Sequence, residues 1–548
     1  MKLLDLKNGI SEEWDKNGYH VFSYDRNLIR ENTLKSPEWV HFGAGNIFRA
    51  FPAVLLDKLL ESNDARTGII AAEGFDDEIL DKAYKPYDCL SLSVILKADG
   101  TIEKNVTGSV VDTVAAYDGA AESEFIRLFK IFTADSLKIC SFTITEKGYK
   151  VNHVSDDDIN VMKNFTSEFY RCRQENSELL LKLPSHLMGK IAALLYARFL
   201  SGEYPLTLLS FDNCSHNGDK LKDGVMAFAG AWQANGIVPD GFIDYLNDSS
   251  RISFPWSMID KITPRPDPAV ADMLAKDGFE DTSVIVTTKH SYTAPFVNSE
   301  ETGYLVIEDT FPAGRPPLEN AGVYFTNKMT VDCVEKMKVC TCLNPLHTAL
   351  AIFGCLLSFK TIHEEMDDGT LREFVTRMAY EEGMPVVTDP GILSPKAFID
   401  TVLTKRLPNV FMPDTPMRIA TDTSQKLSIR FGETIKAYLE RNMSISQLSF
   451  IPMVLAGYIR YLSGINDAGQ PFEKSPDPLM GELEQMVRGI SFQAVTDKKA
   501  LDIILHRADI FGVDLVEAGL SDIVIKDFNE LNAGVGAVRK TLDELVKQ

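Results

Sequence analysis

Near the start of this chain an apolar strand breaks into a glycine turn and reopens as a helix, and that sequence of events constrains the fold more than any other feature. EWVHFGAG (38–45) reads as a short buried strand entering a tight turn. NIFRAFPAVLLDKLLES follows, with Phe48, Phe51, Val54, Leu55 and Leu59 recurring at helical spacing. TGIIAAEGF (67–75) is a β-branched and alanine run that reads as a second buried strand. Strand, glycine turn, helix and strand make one βαβ unit, which commits this part of the chain to a parallel sheet flanked by helices.

With 548 residues the chain is too long for one core, so two or more domains are expected. LSLSVILKADGTIEKNV carries an Asp-Gly that marks a hairpin, and LKICSFTITEKGY and YPLTLLSFDNCSHNGDK each read as a strand ending in a polar loop. Strand character continues through SVIVTT, YLVIEDT and GVYFT (283–326). Beyond about residue 330 the texture turns helical, in NPLHTALAIFGCLLSF, DDGTLREFVTRMAYEEGM, SQKLSIRFGETIKAYLERN, FIPMVLAGYIRYLSG and KALDIILHRADIFG. The expectation is an α/β Rossmann-like N-terminal domain over 1–330, with the first forty residues packed on it as a lead-in. A mainly α-helical C-terminal domain is expected over 331–548.

A formal net charge of −22 repels phosphate backbones and anionic lipid, so neither nucleic acid nor a membrane is expected as partner. No uninterrupted apolar run of membrane-spanning length occurs, and the N-terminus has no apolar leader. The eight cysteines are sparse and several lie in apolar runs, which fits reduced, buried thiols in the cytoplasm. An anionic small substrate stays compatible with this surface if a few isolated basic residues line its site. Oligomeric state leaves no mark on the sequence.

The turn His41-Phe-Gly43-Ala44-Gly45-Asn46-Ile47-Phe48-Arg49 is the first chemical candidate. Gly43 would make the bend and Gly45 would let the backbone approach a pyrophosphate at the helix N-terminus. Phe48 stands where a third glycine is usual, and Arg49 would add charge near the phosphates. An acid ending the second strand should hold ribose hydroxyls; Glu73 is best placed and Asp76 next, and an acid there favours NAD over NADP. Taken alone, the turn and the acids also read as an ordinary loop.

A ketone reductase must polarise a carbonyl and exchange a proton with its oxygen. Zinc is not expected: Cys340-Thr-Cys342 lacks a second pair at ligand spacing, and His363 opens only HEEMD. That leaves amides and a lysine. Lys338-Val-Cys-Thr-Cys-Leu-Asn344-Pro-Leu-His347 opens the helical domain, with Asn344 and His347 three apart on one side of a first turn. On local grounds Asn344 equally reads as an N-cap before Pro345, His347 as a core-edge histidine and Lys338 as a surface lysine.

Several ordered motifs now bear on the choice. HFGAGNIFRAF, TITEKGY (143–149), SFDNCSHNG (210–218), FPWSMIDKITP (254–264), IEDTFPAGRPPLE (307–319) and RIATDTSQK (418–426) resemble segments of the polyol-specific long-chain dehydrogenases. That family includes mannitol dehydrogenases, fructuronate reductases and tagaturonate reductases. The resemblance runs from about residue 38 to near the C-terminus. It implies NAD-dependent, metal-independent hydride transfer between a sugar ketone and its alcohol.

By the same resemblance Lys338 is the general acid/base, Asn213 and Asn344 donate to the oxyanion, and His347 positions the substrate. Asp260 lines the site, Arg418 and Lys426 bind the far hydroxyls or a carboxylate, and Thr145 and Glu146 belong to the cofactor side. The family spaces its lysine five residues before the asparagine; here the spacing is six, Val339 stands at the usual position, and a one-residue bulge would restore the geometry. The chain is long, as in the sugar-acid branch, so fructuronate is the expected ketone, with fructose and tagaturonate as the alternatives. An inactive NAD-binding regulator would have no reason to keep the Lys, Asn, Asn and His set. An epimerase would need Tyr and Lys four apart on a helix, and the one such pair, Tyr324 and Lys328, lies on a strand running into a loop.

Overall fold

The computed structural model describes residues 1–175, 177–178 and 182–548. Two compact units emerge: Met1–Leu96 with Ile102–Asp332, and Lys97–Thr101 with Cys333–Gln548.

The first unit is built on a six-stranded parallel sheet in the order Val110–Ala115, Ile69–Glu73, Trp39–Phe42, Ile139–Phe142, Leu206–Ser210, Ile252–Ser253. All four residues of Trp39–Phe42 and all five of Ile69–Glu73 are buried, because helices cover both faces. Side chains alternate between two cores. Val40, Phe42, Ile70 and Ala72 join the helices Glu122–Thr133 and Leu187–Gly202, while Trp39, Ile69 and Ala71 meet Pro52–Glu61.

The helix read as continuous from Asn46 to Ser62 is in fact two, Asn46–Ala50 and Pro52–Glu61. Phe51 lies between them with φ −133° and ψ −73°, where Pro52 cannot supply an amide to continue the first helix. The lead-in packs as expected and adds a strand: Trp14 is 1% exposed and Tyr19–Val21 pairs in parallel with Ile102–Thr107. That strand forms the antiparallel hairpin with Ser91–Leu96, turning through Asp99-Gly100 with Gly100 at φ +82°. A three-stranded sheet of Ser257–Asp260, Tyr304–Glu308 and Tyr324–Thr326 completes the unit.

The second unit is helical. Phe450–Tyr461 is buried at all twelve positions, which marks it as a central helix, and Phe374 sits edge-on to both Phe353 and Phe450 at 5.2 Å. The carboxylate of Glu382 caps this helix by accepting from the amides of Ser449, Phe450 and Ile451. The helical stretch Lys328–Leu357 is long and apolar enough by composition to cross a membrane. Its apolar window is 78% buried inside the protein, so it is a core helix.

Candidate active site

Four loops leave the carboxyl ends of adjacent strands in the parallel sheet, the edge at which α/β proteins bind ligands. After Trp39–Phe42 the chain turns at Gly43 with φ +103°, and a Cβ there would meet the Thr143 carbonyl oxygen at 2.1 Å. Only glycine satisfies both constraints. Nothing lies within 4 Å of a Cβ at Gly45, leaving open space in front of the turn. Gly45 then caps Asn46–Ala50, whose first amides have no partner within the helix.

Gly43, Gly45, Glu73, Asp76, Thr143, Thr145, His186 and Lys289 line one cavity of about 880 Å³. The volume and the glycine turn fit a dinucleotide. Glu73 braces this turn. Its carboxylate accepts from the amides of Ala44 at 2.8 Å, Phe75 at 2.7 Å and Asp76 at 3.1 Å, tying the strand end to the turn, and burial pushes its carboxyl up. Asp76 caps the next short helix through Glu78 N and accepts from Thr287 Oγ1 at 2.6 Å.

Two side chains of this turn lie in the core. Arg49 is 1% exposed and donates to Thr293 Oγ1 at 2.9 Å and to the Pro295 carbonyl at 3.2 Å. Phe48 is fully buried and stacks on His41 at 3.9 Å, so its side chain belongs to the core. Burial holds the His41 imidazole neutral, pushed down to about 3. Ala44 is also buried; Asn46 reaches the Tyr292 carbonyl at 2.9 Å, and Ile47 is half-buried beside it.

The next two motifs lock together. Thr145 is left-handed at φ +63°, a strained state for a β-branched residue. The Asp212 carboxylate holds it there, accepting from the amides of Ile144 at 2.9 Å and Thr145 at 3.0 Å and from Tyr149 Oη at 2.5 Å. Asn217 bonds the Asp212 and Ser257 carbonyls at 3.0 Å each, and at Gly218 a Cβ would meet the Phe254 carbonyl at 2.4 Å. Asp212, Tyr149 and Asn217 thus position Asn213, which is exposed at the loop tip. None of the three was singled out from the sequence, although all lie inside the motifs, because a bracing role has no local signature. Glu146 lies in a neighbouring pocket of about 500 Å³ with Lys147, Lys150 and Lys220, and it pairs with Lys220 at 3.5 Å. Asp260 ends its strand opposite Tyr304 and is 4% exposed.

In the second unit, Lys338 is 4% exposed, so it is no surface lysine. It lies in a π-helical turn, Met337–Cys342, closed by Leu343 N to the Lys338 carbonyl at 3.1 Å. A π turn takes up one extra residue, which is the surplus between Lys338 and Asn344. Asn344 heads the helix Asn344–Leu357 as its first residue, with Leu343 in the cap position. His347 lies 3.5 Å from the buried Asp414, and its Nε2 is buried without a hydrogen bond. Burial first, then Arg430, Arg418, Arg406 and Lys426, push its imidazole down to about 3, so it works as a neutral group. Arg418 pairs with Asp414, and Lys426 donates to the carbonyls of Ile419 and Thr421.

Residues 37–320 match the mannitol dehydrogenase Rossmann domain, and residues 330–532 match the mannitol dehydrogenase C-terminal domain. The chain belongs to the mannitol dehydrogenase family. It is 46% identical over 537 residues to D-mannonate oxidoreductase of Thermotoga maritima, covering 97% of each chain. Among solved structures it resembles D-sorbitol dehydrogenase in substrate-free form, with TM-score 0.74 and 25% identity over 95% of this chain and 97% of that one. Pseudomonas fluorescens mannitol 2-dehydrogenase, solved as a ternary complex with NAD and D-mannitol, shares the fold over 100% of both chains with TM-score 0.66 and 22% identity.

Family membership makes the chain a dehydrogenase with a Rossmann domain and a helical C-terminal domain. It also clarifies which motifs are scaffolding. In IEDTFPAGRPPLE, Arg315 bonds Asp309 and Glu319 and lies 3.3 Å from the Phe325 ring centre, which ties a turn shut. In RIATDTSQK, Ser424 bonds Asp477 through both its amide and its hydroxyl, fixing the loop between Arg418 and Lys426.

Proposed function

We propose that this protein is an NAD-dependent oxidoreductase that interconverts D-fructuronate and D-mannonate. The observation that carries the reading is the 46% identity, over nearly the whole of both chains, to a D-mannonate oxidoreductase. The cations around His347 supply the locally basic site that an anionic sugar needs on a chain of net charge −22.

When bound, NADH supplies the hydride. The amides of Gly45, Asn46 and Ile47 would face its pyrophosphate, and Glu73 and Asp76 stand at the strand end where its ribose hydroxyls would lie. Lys338 delivers the proton to the alkoxide on reduction and takes it back on oxidation. Asn213 and Asn344 donate hydrogen bonds to the oxygen as it gains charge. His347, held neutral, orients the substrate by hydrogen bonding without competing as an acid. Asp260 lines the site, and Arg418 and Lys426 bind the far end of the sugar. The cytoplasm suits this assignment, since all eight thiols are free.

The test is NADH oxidation, followed by absorbance, against fructuronate, tagaturonate and fructose. Fast turnover confined to fructuronate is expected. Preference for fructose would make the chain a mannitol 2-dehydrogenase, and preference for tagaturonate would make it the sister reductase.

A further inference from the structure

Arg430 sits in a π-helical turn, Ser428–Gly432. Its Nη1 donates to Thr348 Oγ1, and that hydroxyl donates to the Asn344 carbonyl at 2.9 Å. The guanidinium therefore reaches the helical turn that carries Asn344 and His347. Among the described residues it has no acidic partner, and burial pulls it down to about 10. One threonine hydroxyl is little for a group with five donors. Arg198, buried in the first unit, is by contrast fully engaged: it bonds the carbonyls of Phe132, Ala134, Leu137, Tyr204 and Pro205.

The surroundings deepen the imbalance. Arg418, Lys426 and Arg430 all act on His347, while Asp414, the acid beside it among the described residues, is paired with Arg418. A desolvated cation without a counter-charge is costly, and the cost is recovered when an anion enters. The planar fork of a guanidinium matches a planar carboxylate through two parallel hydrogen bonds, which a sugar hydroxyl cannot reproduce.

We propose that Arg430 binds the carboxylate of the substrate and makes this site selective for sugar acids over neutral ketoses. The proposal rests on the reading of the chain as a sugar-acid reductase. Arg430 thereby acts beside Arg418, which also pairs with Asp414, and Lys426, which also holds its own loop.

The experiment compares kcat/KM for fructuronate and for fructose in the wild type and in Arg430→Gln. The expected result is a loss of roughly 10²-fold or more on fructuronate with fructose changed by only about a few-fold, because the charge-assisted pair exists only with the acid. Equal losses on both substrates would overturn the proposal and leave Arg430 as a brace on Thr348. If Arg430→Gln fails to fold, Arg430→Lys keeps the charge without the fork; a smaller loss confined to fructuronate supports the proposal, and an equal loss on both refutes it. A wild type that prefers fructose would sink the function reading alone. The subsite is then judged by inhibition of fructose reduction with D-gluconate: roughly tenfold weaker inhibition of Arg430→Gln sustains it, and unchanged inhibition removes it.

Discussion

At the scale of single residues, the proposed acid/base is a side chain that the fold has withdrawn from water. Lys338 is buried in a π turn rather than displayed on a surface. Replacing it with alanine should lower turnover by orders of magnitude while NADH binding, read by fluorescence titration, changes little. Turnover that survives would move the acid/base elsewhere. Gly43 carries the opposite demand, since it must have no side chain at all. Gly43→Ala forces a left-handed alanine against the Thr143 carbonyl, so NADH binding should be lost or severely weakened and the melting temperature should fall. An alanine variant that binds NADH normally would refute the turn as the cofactor cradle. Arg49, expected to add charge near the phosphates, is directed by its helical phase into the core, where Thr293 and Pro295 accept its hydrogen bonds.

At the scale of elements, two π turns among the described residues carry residues with a proposed role, while Leu80–Tyr84 and Met378–Gly383 carry none. The π turns Met337–Cys342, Val402–Arg406 and Ser428–Gly432 carry Lys338, Arg406 and Arg430. A π turn shifts every later side chain around the helix, which re-aims a functional group without breaking the helix. The helices Phe450–Tyr461 and Ser521–Leu531 pack together, and Asp527 on the second is 3% exposed with Oδ2 lacking any hydrogen bond. Burial, followed by Glu530 and Glu382 against the opposing Lys526, pushes its carboxyl up to about 7. The folded state therefore holds a proton that the unfolded chain releases near pH 4, and this contribution to stability is lost as pH rises from about 4 to about 7. Asp527→Asn should raise the melting temperature at pH 8 relative to wild type and bring little gain at pH 4.5 in thermal unfolding scans. A gain of equal size at both pH values would mean that the carboxyl does not titrate in this range.

At the scale of the whole molecule, a strongly acidic chain devotes one helical unit to a patch of basic residues around a neutral histidine. The βαβ start, the Asp-Gly hairpin, the buried second strand and the change to helical texture near residue 330 were all legible, because each depends on spacing within a dozen residues. The family motifs were legible in the same way, as short local strings. By itself, then, the sequence determined the fold class, the family resemblance and the cofactor turn, since local periodicity and glycine stereochemistry govern those. Only the tertiary structure decided that Phe51 breaks a helix, that Arg49 faces inward and that Glu73 braces the turn it was expected merely to face. It also revealed Asp212 and Asn217 as the brace behind Asn213, and Arg430 beside Thr348. The physical reason is common to all of these: a side chain's direction, partners and solvation depend on residues tens to hundreds of positions away, and no local pattern records what stands opposite it once the chain has folded.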